Sequence, residues 1–199
     1  MADTRSHILA VSLRLFLQKN FKEVTMQEIV RETGMSKGAF YHYFESKEKL
    51  FYEIIGHFYS AILEFDFESL PSESLFGFYR GYAQLINSQR LNFLTDEEGI
   101  GKDFINLNFF SLLFDAFKLF PEFRSKMELY HHKEKDAWIR AIRNARQSCE
   151  INSPLTDEQI AQIFLFTSDG LIMNLTMESN TSGLQERLKS LWDNFYAIL

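Results

Sequence analysis

One cysteine, three prolines and nine glycines are all that this 199-residue chain holds of the residues that staple or punctuate a fold. A single thiol, Cys149, excludes an internal disulfide, so a reducing, cytoplasmic setting is expected. The scarcity of proline and glycine argues against an all-β fold with a turn every few residues. The N-terminal stretch MADTRSHILAVSLRLF lacks a continuous apolar core and a small-residue cleavage site, so no signal peptide is expected. No apolar run is expected to reach the length of a membrane span, because Asp115, Lys118 and Asp169 interrupt the most apolar stretches. An excess of positive charge is missing too: the formal net charge is −6.

That sum hides an asymmetry. Residues 1–50 carry eight Lys/Arg against six Asp/Glu, a net of +2, and the rest carries thirteen against twenty-one, a net of −8. A mildly basic head therefore precedes an acidic body. Phenylalanine is abundant at 21 residues, which fits either a ring-filled core or an aromatic-lined interior.

Apolar residues recur at three- and four-residue spacings almost throughout, and alternating strand patterns are scarce, so the chain reads as all-α. A first helix is expected from about Asp3 to Lys19, with Ile8, Leu9, Ser12, Phe16 and Leu17 buried. Asn20 should end it in the left-handed conformation. Thr25, with Glu28 three residues on, gives the capping-box pattern for a second helix that Gly34 stops. Ser36 caps a short third helix to about Tyr43, and Ser46 caps a long fourth one to about Phe65. After the turn SLPSES, helices are expected at about 74–89, 103–119, 122–149, 157–177 and 183–198, with Pro121 and Thr156 as start signals. The stretch from Arg90 to Lys102 reads as a loop. Two parts follow: a three-helix head at 1–47 and a helical-bundle body at 48–199.

Two short helices joined by a glycine-containing turn, here Thr33-Gly34-Met35-Ser36, make the helix-turn-helix pattern. At 100° steps Phe40, Tyr43 and Phe44 share one side of the third helix and should pack inward. Gly38, Tyr41 and His42 fall on the other side, with Lys37 at its edge. A glycine and a tyrosine are poor choices for a solvated helix face and reasonable ones for close contact with a partner. Helix starts at Thr25, Ser36 and Ser46 offer N–H groups to phosphate. Lys47, in the first turn of the fourth helix, opposes the helix dipole unless an anion meets it.

From Phe21 to Leu50, the residues Thr25, Ile29, Gly34, Ser36-Lys37-Gly38, Phe40-Tyr41, Tyr43-Phe44, Ser46-Lys47 and Leu50 closely resemble the DNA-binding signature of the TetR (tetracycline-repressor) family of bacterial regulators. Asn20 departs from the glycine usual there and can serve the same turn. The resemblance is strong over about the first 60 residues and architectural beyond, where Asp169-Gly170-Leu171 also looks like the family. It implies an all-α homodimer that binds a near-palindromic operator as a repressor and releases it on binding a small molecule. It implies phosphate contacts for Thr25, Ser36, Lys37, Tyr41 and Lys47, and places Gly38 and His42 near base edges.

In the body, the helix expected at 157–177 and the final helix are apolar on more than one side. A partner subunit would cover what one body cannot. Phe164, Leu171, Leu188, Trp192 and Phe195 are the candidate interface residues. The aromatic run around Phe104, Phe109, Phe110, Phe114 and Phe117, with Tyr82, Tyr130 and Trp138, suggests a pocket for a lipophilic or aromatic effector. Tyr82, Phe110, Phe114 and Trp138 are its candidate lining, and Asn106 or Asn108 its polar contact. A filled core accounts for the same residues.

Enzymatic signals are thin, and no catalytic residue, metal site or cofactor is assigned. Glu128, His132 and Asp136, at i, i+4, i+8, have metal-ligand spacing but sit in a stretch rich in Lys and Glu. Cys149 reads as a partly buried thiol without a local base. No phosphate-cradling glycine loop or nucleophile elbow is present. The competing class is a helical small-molecule or lipid carrier, or an enzyme, whose helix-turn-helix is not used on DNA.

Overall fold

The computed structural model describes residues 4–94, 107–178 and 182–199. Among them are nine α-helices and no strand: α1 (Thr4–Lys19), α2 (Met26–Glu32), α3 (Lys37–Tyr43), α4 (Lys47–Leu63), α5 (Leu75–Leu94), α6 (Leu107–Leu119), α7 (Pro121–Gln147), α8 (Asp157–Met177) and α9 (Leu184–Tyr196), with a 3-10 turn at Phe67–Ser69. The all-α expectation holds. The start signals hold as well. Thr25, Ser36 and Ser46 accept from the backbone N–H groups of Glu28, Ala39 and Lys49 at 3.2, 3.3 and 3.1 Å. Thr156 and Gln159 form a full capping box, and Pro121 is the first residue of α7. At Thr25 only half of the box forms, because the Glu28 carboxylate is taken by Lys19 at 2.6 Å.

The described residues fall into two compact units. The first spans Met1–Leu63 and Asn92–Lys126, and the second Glu64–Leu91 and Met127–Leu199. In the first, α1 packs on α2, α4 and α6. That is why α1 buries Ala10, Val11, Leu13 and Leu15 besides the expected stripe. Asn20 follows α1 at φ 74, and its side-chain oxygen accepts from the N–H groups of Lys22 and Glu23 at 3.0 and 3.2 Å. The left-handed turn is thus closed by the residue that makes it. Phe16, Phe21 and Phe51 pack with ring centres 4.6–5.6 Å apart at the centre of this unit.

In the second unit, Phe78, Tyr79, Tyr82, Trp138, Phe164 and Trp192 form a continuous ring cluster and are each at most 4% exposed. Its rim is polar: Asp193 accepts from Tyr79 and from Arg80, and Glu150 accepts from the first two N–H groups of α5 and from the Tyr196 hydroxyl. A carboxylate at a helix N-terminus also satisfies the dipole.

Three expectations need correction. Helix α8, at 21 residues, is long and apolar enough to cross a membrane by length and composition, because Asp157 and Glu158 sit at its very start and Asp169 alone interrupts the rest. Cys149 is exposed; it closes α7 at φ 58, at the surface. Helix α5 runs on to Leu94, into the stretch read as a loop. Phe104, Asn106 and the TDEEGIGK segment lie outside the described residues.

Candidate nucleic-acid interface

Helix α3 is two turns long and is held from one side. Phe40 is fully buried and Phe44 is 2% exposed, while Lys37, Gly38, Ala39, Tyr41 and His42 are exposed. Tyr43 departs from the expectation: it is 39% exposed, with its ring 5.7 Å from that of His42. The helix ends at Tyr43, and Phe44 takes an extended conformation (φ −138, ψ 112), so Phe44 reaches the core by leaving the helix. The buried stripe is therefore narrower than a continuous helix would give. Tyr43 joins the outward face as a residue that periodicity assigned to the core.

The turn before α3 depends on Gly34, at φ 68, where a side chain would be strained. Gly38 differs. It has ordinary helical backbone, and a Cβ built there meets nothing within 4 Å. Nothing inside the protein requires glycine at 38. The Lys37 ammonium lies 6.0 Å over the Tyr41 ring and, among the described residues, pairs with no carboxylate.

The other basic side chains of the head are mostly engaged. Arg5 pairs with Glu53, Lys19 with Glu28, Arg31 with Glu32 and Lys49 with Glu45. Lys47 is engaged by backbone: its ammonium donates to the carbonyls of Phe21 and Val24 at 2.8 and 2.9 Å and stands 4.4 Å over the Phe21 ring. The conflict with the dipole of α4 is met inside the protein, and one N–H is left for an outside anion. Thr25 and Ser36 use their oxygens as caps, which leaves each hydroxyl hydrogen to donate outward.

The body candidates separate. Tyr82 and Trp138 come together in the second unit, rings 5.1 Å apart, both buried. Phe110 and Phe114 belong to the first unit, and Phe114 is 51% exposed. Asn108 donates to the Leu17 carbonyl at 2.7 Å. Of the interface candidates, Phe164, Leu188 and Trp192 are core residues, at most 1% exposed, and Leu171 and Phe195 are half-buried. These helices are apolar all round, and periodicity could not say which side their own subunit covers. The exposed side of α8 carries Ile163, Phe166, Gly170, Met173 and Met177, at i, i+3, i+7, i+10, i+14, one narrow stripe. Leu191 on α9 is exposed as well. Glu128, His132 and Asp136 are exposed, and among the described residues no group of three metal-ligating side chains stands together.

Residues 8–54 match the family model described as bacterial regulatory proteins, tetR family. The chain is 36% identical over 90 residues to the transcriptional repressor NemR of Escherichia coli K12, covering 45% of this chain and 44% of NemR. It is 27% identical over 189 residues to the transcriptional repressor AcnR of Corynebacterium efficiens, covering 94% and 89%. Two further regulators, from Bacillus subtilis, are matched over 17% and 20% of their lengths, so the chain spans under half of several of its curated relatives. In fold it resembles the crystal structure of AibR in complex with isovaleryl coenzyme A and operator DNA. The TM-score is 0.58 at 19% identity, over 87% of this chain and 86% of that one.

Proposed function

We propose that this chain, whose residues 8–54 match the tetR family of bacterial regulatory proteins, is a DNA-binding transcriptional repressor released by a small-molecule effector. It works as a cytoplasmic homodimer, with residues 1–47 on DNA and 48–199 for effector and partner. The observation that carries this is the outward face of α3: Lys37, Gly38, Tyr41 and His42, now with Tyr43, presented by a helix anchored through Phe40 and Phe44. A glycine that no internal contact requires is clearance for a close partner, and a two-turn helix after a glycine turn fits the major groove.

In this arrangement Lys37, Tyr41, Thr25 and Ser36 hold phosphates, and His42 and the bare backbone at Gly38 approach base edges. Lys47 offers a phosphate its one remaining N–H and chiefly fixes the turn between α1 and α2. The second subunit lies on the exposed stripe of α8, Ile163, Phe166, Met173 and Met177 with Leu191, beside Leu171 and Phe195. Gly170 in mid-stripe allows close approach. Two copies of α3 then stand about 34–36 Å apart, one helical turn of DNA. An effector lowers operator affinity by its preference for the body state that misplaces the two heads. The AibR complex, which holds both isovaleryl coenzyme A and operator DNA, is a protein of similar fold with a small-molecule ligand and a DNA partner.

Footprinting of the DNA flanking the protein's own gene tests the proposal. Two protected half-sites centred one helical turn apart are expected. Protection without a repeated half-site, or none, contradicts it.

A further inference from the structure

Arg5 stands in the first turn of α1, where a cation opposes the helix dipole, and that turn holds no acidic residue to offset it. Its charge is met from outside α1. One guanidinium nitrogen reaches both carboxylate oxygens of Glu53, on α4, at 2.7 and 2.6 Å. An exposed ion pair contributes little by itself. The second contact is the informative one: the guanidinium carbon lies 5.5 Å over the ring of Phe44. Arginine suits this double task, because its planar fork stacks on a ring while its N–H groups hold a carboxylate.

Phe44 is the far anchor of α3. Among the described residues no other helix makes an extended backbone approach to α3, so side chains must fix it. Phe40 holds its middle, and Phe44, on extended backbone past the last turn, holds its end. The Phe44 ring is 6.3 Å from that of Phe40, and the Phe44 N–H closes the last turn by donating to the Phe40 carbonyl at 3.2 Å. His42 and Tyr43 immediately precede Phe44 and are exposed. Whatever holds the Phe44 ring therefore sets where those two side chains stand.

We propose that Arg5 is a positioning residue for operator recognition: tethered by Glu53, it clamps the Phe44 ring and so fixes the last turn of α3 against α1 and α4. It acts through Phe44 and makes no DNA contact of its own. Its removal changes the aim of His42 and Tyr43 and leaves the number of phosphate contacts as it was. A misplaced last turn weakens hydrogen bonds to base edges, which carry sequence preference and depend steeply on angle, more than it weakens attraction to phosphate. The inference rests on the regulator reading and names a residue outside α3 that serves it.

Two measurements on the full chain test it: anisotropy titration with the DNA site flanking the protein's own gene and with a scrambled duplex, across salt, and hydrogen exchange of the DNA-free protein followed by NMR. Arg5→Met keeps the stem and removes the charge. The ratio of the two affinities should fall by roughly fivefold. The salt slope should stay as it is, and the Phe44 N–H should exchange faster. Glu53→Gln, which weakens the tether and leaves α1 untouched, should act in the same direction, and it decides the matter if Arg5→Met does not fold. In a Phe44→Leu background, Arg5→Met should add little further loss, because the ring it acts on is gone. Equal loss on both duplexes with a flatter slope would make Arg5 a phosphate contact and overturn the proposal. So would losses from Arg5→Met and Phe44→Leu that simply add. Specific binding by the parent that neither Arg5→Met nor Glu53→Gln alters, with unchanged exchange, sinks this inference alone. Faster Phe44 exchange in Arg5→Met, with no specific binding by the parent, sinks the regulator reading alone.

Discussion

The ammonium of Lys47 stands 4.4 Å over the ring of Phe21 and donates to that residue's own carbonyl at 2.8 Å. With the bond to Val24 at 2.9 Å, it ties the first turn of α4 to the chain between α1 and α2. Whatever turns α4 must carry the head with it. Lys47→Met should therefore destabilise the protein by about 1.5–3 kcal/mol, the range for hydrogen bonds to a charged group. Urea denaturation reads this. Operator affinity should fall as well, and since Lys47 also offers a phosphate its remaining N–H, the salt slope should flatten by about one contact, as it should for Lys37→Ala, which leaves stability unchanged.

Gly38 separates stability from binding. A Cβ at 38 meets nothing, and alanine is a better helix former by about 0.5–1 kcal/mol. Gly38→Ala should melt no lower than the parent, and so should Gly38→Leu. Operator binding by Gly38→Leu should be lost. Thermal melts and gel-shift titrations on the same preparations check both halves.

Phe164 and Phe166, two residues apart on α8, should behave oppositely. Phe166 is 66% exposed, so Phe166→Glu should leave the melting of the subunit nearly unchanged and turn the proposed dimer into a monomer in sedimentation. Phe164 is fully buried among Tyr79, Trp138, Trp192 and Phe195, so Phe164→Ala should cost about 3–5 kcal/mol.

The pair of His131 with Glu134 predicts a pH dependence. The hydrogen bond to Glu134 raises the His131 pKa above its ordinary value, against the opposing effect of burial. A raised folded pKa means that the contribution is complete below the unfolded value, near 6.5, and is lost as pH rises through the folded one. The raised pKa of Asp169 acts in the same sense, at the acid side. The melting midpoint of the parent should exceed that of His131→Gln at pH 5.5, and the gap should close by pH 9. Solvent screening keeps the gap small, since the His131 side chain is largely exposed.

Local signals were the most legible part of the sequence. Asn20, Thr25, Ser36, Pro121 and Thr156 act on neighbours within four residues, and each stands where the sequence put it. The outward face of α3 was legible for the same reason, up to the point where the helix stops. Tyr43 was misplaced because the 100° step ends with the helix, and Phe44 reaches the core from extended backbone. The role of Lys47 joins residues 23 and 26 positions apart, which no helical period encodes. Phe164 and Phe166 could not be told apart because α8 is apolar on both sides, and only packing shows which side its own subunit covers. The Tyr82–Glu134 bond joins α5 to α7 across 52 positions, so Glu134 gave no sign in a charged stretch.

Fluorescence-anisotropy titration of the flanking-DNA site against a scrambled duplex of equal length, from low to physiological salt, tests the central claim most directly. The account predicts tighter binding to the site at every salt concentration, with log affinity falling linearly as log salt rises for both duplexes. Equal affinity for the two duplexes, unchanged by Lys37→Ala and Gly38→Leu, would contradict it.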